Sequence, residues 1–329
     1  MHSETHEQIE LVLVVYIITF IFGLPANIVA LYAFIKKVRR RATPVDVLLI
    51  GLTVSDLVFL LFLPLRMKEA IDHDVWKMPD FLCPLLAIVF YGTIYNSSLY
   101  LTAISVERYL GVAFPIKYKL NRKPLYAVVG SVIIWTISLA QCSIVYFMHY
   151  HHDQNKTCEV EHSSKCYQHF TPEQLDMLLP FRLQQFLLLF CVPLLICCFC
   201  YINFIHILSN LPNICQRRRS RAIGLALGTM VVFLVCFGPY NISHLIGYAT
   251  NESPEWRKIA VLTSTLNTCL DPFIYYFSSS ALRGTFGNIL NRLTSRLQLH
   301  CPSCRMYQRT TPQTAAPEVR TQSTNDNLG

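Results

Sequence analysis

Apolar residues in this chain gather into long runs separated by short polar breaks. The runs fall at about 11–35, 45–70, 84–109, 124–148, 180–208, 222–248 and 257–277. A helix rises about 1.5 Å per residue, so roughly 20 residues cross the ~30 Å hydrocarbon layer of a bilayer. The pattern therefore predicts an all-α membrane protein, a bundle of seven transmembrane helices. The third run is the least apolar and carries Asn96, Ser97, Ser98 and Thr102. Composition agrees: the 329 residues are 53% hydrophobic and 15% charged, where soluble domains hold about 25% charged residues.

After the last run the spacing changes character. Leu282, Phe286, Ile289, Leu293 and Leu297 recur at helical intervals, with Arg283, Asn288, Arg292 and Arg296 mostly on the other side. That predicts an amphipathic helix over 281–298 lying along the inner membrane surface. Cys301 and Cys304 follow it, either as acylation sites adding a second anchor or as ordinary reduced thiols. The layout read from the pattern is an N-terminus at 1–10, the bundle at 11–280, the juxtamembrane helix at 281–298 and a disordered tail at 299–329.

Charge sets the orientation. Twenty of the 28 Lys and Arg fall in the alternate loops and the tail that would share one side of the membrane. Short cytoplasmic loops retain such residues, so the N-terminus is expected outside. Its sequence, MHSETHEQIE, has no Lys or Arg and no apolar stretch, and no cleavable signal peptide is expected. The net charge of +8 flanks the spans and forms no basic patch on a soluble domain, which argues against nucleic acid as a partner.

Of the thirteen cysteines, Cys83, Cys158 and Cys166 face the oxidising side. Three cannot all pair within one chain, which leaves one disulfide and one thiol. Asn155 opens the sequon Asn-Lys-Thr in the same outer loop and is a glycosylation candidate. The loop histidines match no zinc-ligand spacing, and no metal or cofactor is expected.

Polar residues inside the spans carry a resemblance. GLPAN with Asn27, LTVSDL with Asp56, ERY at 107–109, Trp135, Pro193 with Tyr201, CFGPY at 236–240 and DPFIY at 271–275 together resemble the rhodopsin-like G-protein-coupled receptors. The likeness implies that Glu107, Arg108, Tyr109, Tyr201, Phe237, Asp271, Pro272, Tyr275 and Asp56 serve activation and coupling to a heterotrimeric G protein, with arrestin as a further partner. It also implies a bridge from Cys83 to Cys166. Two departures stand out: the start of span six, RRRSRAIGLAL, offers no acid to clamp Arg108, and Phe237 replaces the common Trp. A sodium ion, a shared proton or water between Asp56 and Asp271 all remain open.

The outer ends of the spans carry cations. Arg182 lies before Pro193, Arg257 before Pro272 and His244 after Pro239, each placed towards the outer face by helical rise. Two guanidiniums and an imidazole with few acids nearby predict an anionic ligand, since a guanidinium grips a carboxylate with paired charge-assisted hydrogen bonds. The plainer reading is that Arg182 snorkels to the interface and Arg257 is exposed beside Lys258.

FRLQQF, CFGPYNISHLIGY, SPEWRKIAVL, ERYLGVAFPIKYKL and IYYFSSS are similar to the free fatty acid receptors for short-chain carboxylates. That resemblance implies a carboxylate held by Arg182, Arg257 and His244, with Tyr91, Tyr240, Tyr167 and Gln141 lining the pocket. It implies inhibitory and calcium-coupled G proteins and a plasma-membrane address. Gln141 stands where that subfamily commonly has His, and Gln168 follows Tyr167 where Glu is expected. The alternative within the class is a receptor for another small carboxylate or lipid anion; a transporter for small anions is the rival from another class, but no internal repeat is present. No HExxH, GxSxG or phosphate-cradling loop points to an enzyme.

Overall fold

A computed structural model describes residues 2–73, 75–121, 123–144, 166, 170, 172–211, 215–278 and three residues further on, Gly284, Thr285 and Gly287. The chain forms two compact units, Met1–Arg283 and Gly284–Gly329. In the second, only Gly284, Thr285 and Gly287 are described, so the predicted juxtamembrane helix, Cys301 and Cys304 lie largely or wholly outside the described residues. Asn155, Cys158 and Tyr167 lie outside them too.

The regular elements of the first unit are all helices among its described residues. Its elements are α1 (His2–Val38), α2 (Pro44–Ile71), α3 (Leu82–Ala113), a short α4 (Pro115–Asn121) and α5 (Pro124–Cys142), followed by α6 (Pro172–Asn210). Then come α7, built from Gln216–Val232, Phe233–Phe237 and Gly238–Thr250, and α8 (Arg257–Ser278). Helix α1 packs on α2 and α8, α2 on α3 and α5, α6 on α7, and α7 on α8, and a hydrogen bond from Gln185 of α6 to the Gln141 carbonyl of α5 closes the ring. Helix α3 sits at its centre and touches α2, α5, α6 and α7.

That central place accounts for the weak hydropathy of the third span, because Asn96, Ser97, Ser98 and Thr102 are all buried among protein neighbours. The surface is the converse of a soluble domain's. Leu61, Val132, Leu195 and Phe199 point outward, as a lipid solvent demands, while Asn27, Asp56 and Asp271 are sealed inside. Among the described residues six helices are long and apolar enough to cross a bilayer. The seventh crossing, α8, is 22 residues long, enough for the ~30 Å layer. It is low in hydropathy because Ser264, Thr265, Asn267, Thr268 and Asp271 are buried on its inward side.

The helices outrun the apolar runs at both ends, because polar residues continue the backbone hydrogen-bond ladder beyond the hydrocarbon. Helix α1 starts at His2, and α6 starts at Pro172, eight residues ahead of the predicted edge. Pro193 and Pro239 interrupt the ladders of their helices, and each is preceded by a wider π-turn, at Phe186–Cys191 and Phe233–Phe237. A proline has no N–H to give the preceding turn, and neighbouring helices satisfy the carbonyls these turns expose. Ser98 of α3 donates to the Leu189 carbonyl at 3.3 Å. Thr263 and Ser264 of α8 donate to the Cys236 carbonyl at 3.0 and 2.9 Å.

Cys83 at the start of α3 is bonded to Cys166, with Cα atoms 5.8 Å apart, which ties Cys166 to the central helix. The turn after α7 is made by Asn251 in the left-handed region, at φ 56°, a conformation Asn tolerates at a helix C-terminus. This turn brings Ser253 back over α6.

Candidate ligand site and its relatives

The end of the bundle that carries the disulfide gathers the predicted cations. Arg182 of α6 is buried, 7% exposed, which rules out snorkelling. Its guanidinium lies 5.1 Å from the Phe170 ring centre and donates to Ser253 Oγ at 3.3 Å. Arg257 opens α8 and reaches inward. It donates to Tyr240 Oη at 3.1 Å and to Ser243 Oγ at 3.4 Å, and its guanidinium carbon stands 4.8 Å from the Tyr240 ring centre. Each guanidinium lies within the electrostatic reach of the other, and Tyr91, Tyr95 and Tyr240 share that field. Among the described residues neither has a carboxylate within 4 Å.

Aromatic rings set the wall. Tyr240 and His244 are four residues apart on one face of α7 and meet edge to face at 4.7 Å. Tyr91 of α3 stacks on Tyr240 with centroids 5.8 Å apart.

His244 differs from its sequence reading. It is fully buried and its Nδ1 lies 2.8 Å from Arg257 Nη1. A guanidinium has no acceptor, so Nδ1 must accept, and the ring carries its hydrogen on Nε2. His244 is therefore a neutral support for Arg257 and adds no third positive charge. Its Nε2 faces Tyr95 Oη at 3.2 Å.

Two residues that the sequence did not single out complete this layer. Tyr95 Oη lies 3.3 Å from Gln185 Oε1, and Gln185 Nε2 donates to the Gln141 backbone carbonyl at 3.0 Å. Gln141 thus joins the site through its backbone, and its side-chain Oε1 has no hydrogen-bond partner among the described residues. A third arginine was also missed. Arg66 of α2 pairs with Glu69 at 2.7 Å and sits 5.0 Å from the Phe90 ring centre. The Arg-x-x-Glu spacing near a span end was the available signal, since residues three apart share a helix face.

The opposite end holds the residues expected to serve coupling. Tyr118 of α4 donates to Glu107 at 2.9 Å, so the acid beside Arg108 is engaged by the loop helix. Arg108 lies close to Tyr201, and Tyr109 packs edge-on against Phe199 at 5.7 Å. Phe237 is buried against Phe233 at 5.4 Å. Midway, Tyr275 and Thr268 donate to Asp56 at 3.1 and 3.4 Å, and Asn267 donates to Asp271 at 2.7 Å. Pro272 lies within α8 next to this cluster.

A ring of seven crossings, polar at its axis and with two inward-facing arginines at one end, is the architecture of the heptahelical receptors. Residues 26–275 match the 7 transmembrane receptor (rhodopsin family), and the chain belongs to that family of G-protein-coupled receptors, within its free fatty acid receptor branch. It is 46% identical to free fatty acid receptor 3 of Mus musculus over 279 residues, covering 85% of this chain and 86% of that protein. It is likewise 46% identical to free fatty acid receptor 2 of Homo sapiens over 289 residues, covering 87% of each. Free fatty acid receptor 1 of Macaca fascicularis is 31% identical over 268 residues, 79% of this chain and 88% of that one. Overall identity does not separate receptor 2 from receptor 3. The family is one of receptors, not enzymes, and the chain is a multi-pass plasma-membrane protein.

Proposed function

We propose that this receptor is activated by short-chain fatty acids (acetate, propionate and butyrate) whose carboxylate bridges Arg182 and Arg257, with Tyr91, Tyr240, Tyr167 and Gln141 around it. The observation that carries the reading is the pair of guanidiniums at one end of the bundle, within each other's field and without a carboxylate partner among the described residues. Like charges held together in a weakly screened site repel, and a single carboxylate between them offsets that repulsion by attracting both. Its binding is then stronger in whichever receptor form brings the two closest, and that difference is what shifts a conformational equilibrium. His244 serves by holding Arg257. Relatives named as fatty acid receptors support the ligand class.

Size limits affinity. At about 1.5 kcal/mol per non-hydrogen atom at best, acetate gains roughly 6 kcal/mol, a Kd no lower than some tens of micromolar. In this reading the N-terminus and the disulfide end face outward. Arg108, Tyr109 and Tyr201 meet the G protein, of the inhibitory and calcium-coupled types, and arrestin binds the same face.

The test is an acetate dose response for G-protein activation at matched surface expression. Arg182→Ala and Arg257→Ala should each abolish it; an unchanged response in either would overturn the clamp. Uptake of labelled acetate into vesicles bearing the protein would instead favour transport.

A further inference from the structure

We infer that Gln185 is a positioning residue that fixes the tautomer of His244, and through it the seat of Arg257, without touching the ligand. The inference rests on the carboxylate reading above only where ligand response is measured. The five groups Arg257, His244, Tyr95, Gln185 and the Gln141 carbonyl form one hydrogen-bond chain across α8, α7, α3, α6 and α5. Its direction is set at both ends. Arg257 can only donate, so His244 Nδ1 accepts and Nε2–H donates to Tyr95 Oη. At the far end a backbone carbonyl can only accept, so Gln185 turns its NH2 to Gln141 and its Oε1 to Tyr95. The Tyr95 hydroxyl hydrogen then goes to the Gln185 oxygen, with the Tyr240 hydroxyl as its other neighbour. Every donor points away from Arg257.

Without the Gln185 amide the direction is lost. The Tyr95 hydroxyl is buried, and of the two neighbours left to it, the Tyr240 hydroxyl already accepts from Arg257, so it turns its hydrogen to His244 Nε2. The imidazole hydrogen then resides on Nδ1, where it meets an Arg257 N–H head on. One hydrogen has moved across the ring and none is gained or lost, yet Arg257 loses its closest acceptor. A purely structural role predicts that further damage to the chain makes matters worse. The tautomer role predicts the opposite. Deleting the Tyr95 hydroxyl as well removes the competing donor, frees Nδ1 to accept again and restores Arg257.

The experiment has two arms on the full-length receptor. In the first, acetate dose responses are taken at matched surface expression. Gln185→Leu should lower potency about tenfold or more, the scale of one hydrogen bond to a charged group. The double variant with Tyr95→Phe should recover most of that loss, whereas a double variant equal to or worse than Gln185→Leu overturns the inference. In the second, nitrogen NMR of histidine-labelled receptor without ligand reads the ring directly, with the His244 signal assigned by its loss in His244→Asn. Wild type should show a bare Nδ1 and a protonated Nε2, and Gln185→Leu the reverse. A wild-type ring protonated on Nδ1 or on both nitrogens overturns the inference, even where a variant fails to reach the surface. This arm uses no carboxylate, so its failure is distinct from failure of the ligand assignment.

Discussion

Tyr91 and Tyr240 lie face to face, their ring planes 10° apart, and Arg257 rests on the second of them. The stack joins α3 to α7 beneath a cation supplied by α8, so three helices share one small contact. Tyr240 does two things for Arg257: its face attracts the guanidinium and its hydroxyl accepts a hydrogen bond. Tyr240→Phe keeps the first and loses the second, and should weaken acetate potency roughly tenfold by the loss of a charged hydrogen bond. Tyr240→Ala loses both and the stack, and should cost at least another fivefold from cation–π and aromatic terms of about 1 kcal/mol each. Dose responses at equal surface density would order the two, and equal effects would show that the ring face contributes nothing.

The Arg66–Glu69 pair is sealed in the bundle, with side chains 11% and 3% exposed. A buried charge stripped of its partner is costly, about 3–5 kcal/mol, while replacing both partners with apolar residues costs far less. Glu69→Leu should therefore lower the thermal midpoint of the purified receptor well below that of the double variant Arg66→Met with Glu69→Leu. A double variant less stable than the single would contradict this.

The Cys236 carbonyl has two donors, Thr263 and Ser264. Either can cover it alone, so Thr263→Ala and Ser264→Ala should each cost a few tenths of a kcal/mol. Removing both leaves the carbonyl uncovered and should cost about 1–3 kcal/mol. Thermal unfolding of the four proteins in nanodiscs measures the excess, and strict additivity would refute shared duty.

Gly51 gives α2 a smooth face where the Tyr100 ring of α3 lies flat: a Cβ there would stand 2.5 Å from ring atoms. Gly51→Ala should destabilise by about 1–3 kcal/mol through overpacking. Tyr100→Leu should relieve part of it, a coupling readable as non-additive thermal midpoints.

Seven crossings were legible because lipid imposes one length and one polarity on each. Helix α8 was the hardest to see by hydropathy, and DPFIY within it was the easiest by motif. Arg182 and Arg257 stood out since a charge in an apolar run is rare. Tyr95 and Gln185 did not, because an uncharged polar residue in a helix carries no mark of what it faces until three other helices are placed around it. His244 was visible as a residue but not in its role: charge is a property of the type, while a tautomer depends on the neighbour. The π-turns were hinted at by Pro193 and Pro239 only as bends, since nothing local distinguishes a bend from a widened turn.

The widened turn at Phe186–Cys191 bears on which lengths of α6 this receptor tolerates. A π-turn absorbs one surplus residue, so the side chains beyond it keep the azimuth they would have in a plain helix one residue shorter. Straightening the turn at unchanged length would swing Arg182 by about 100° relative to Tyr201, out of the bundle and into lipid. Excising a single residue there would instead leave both ends facing as they do.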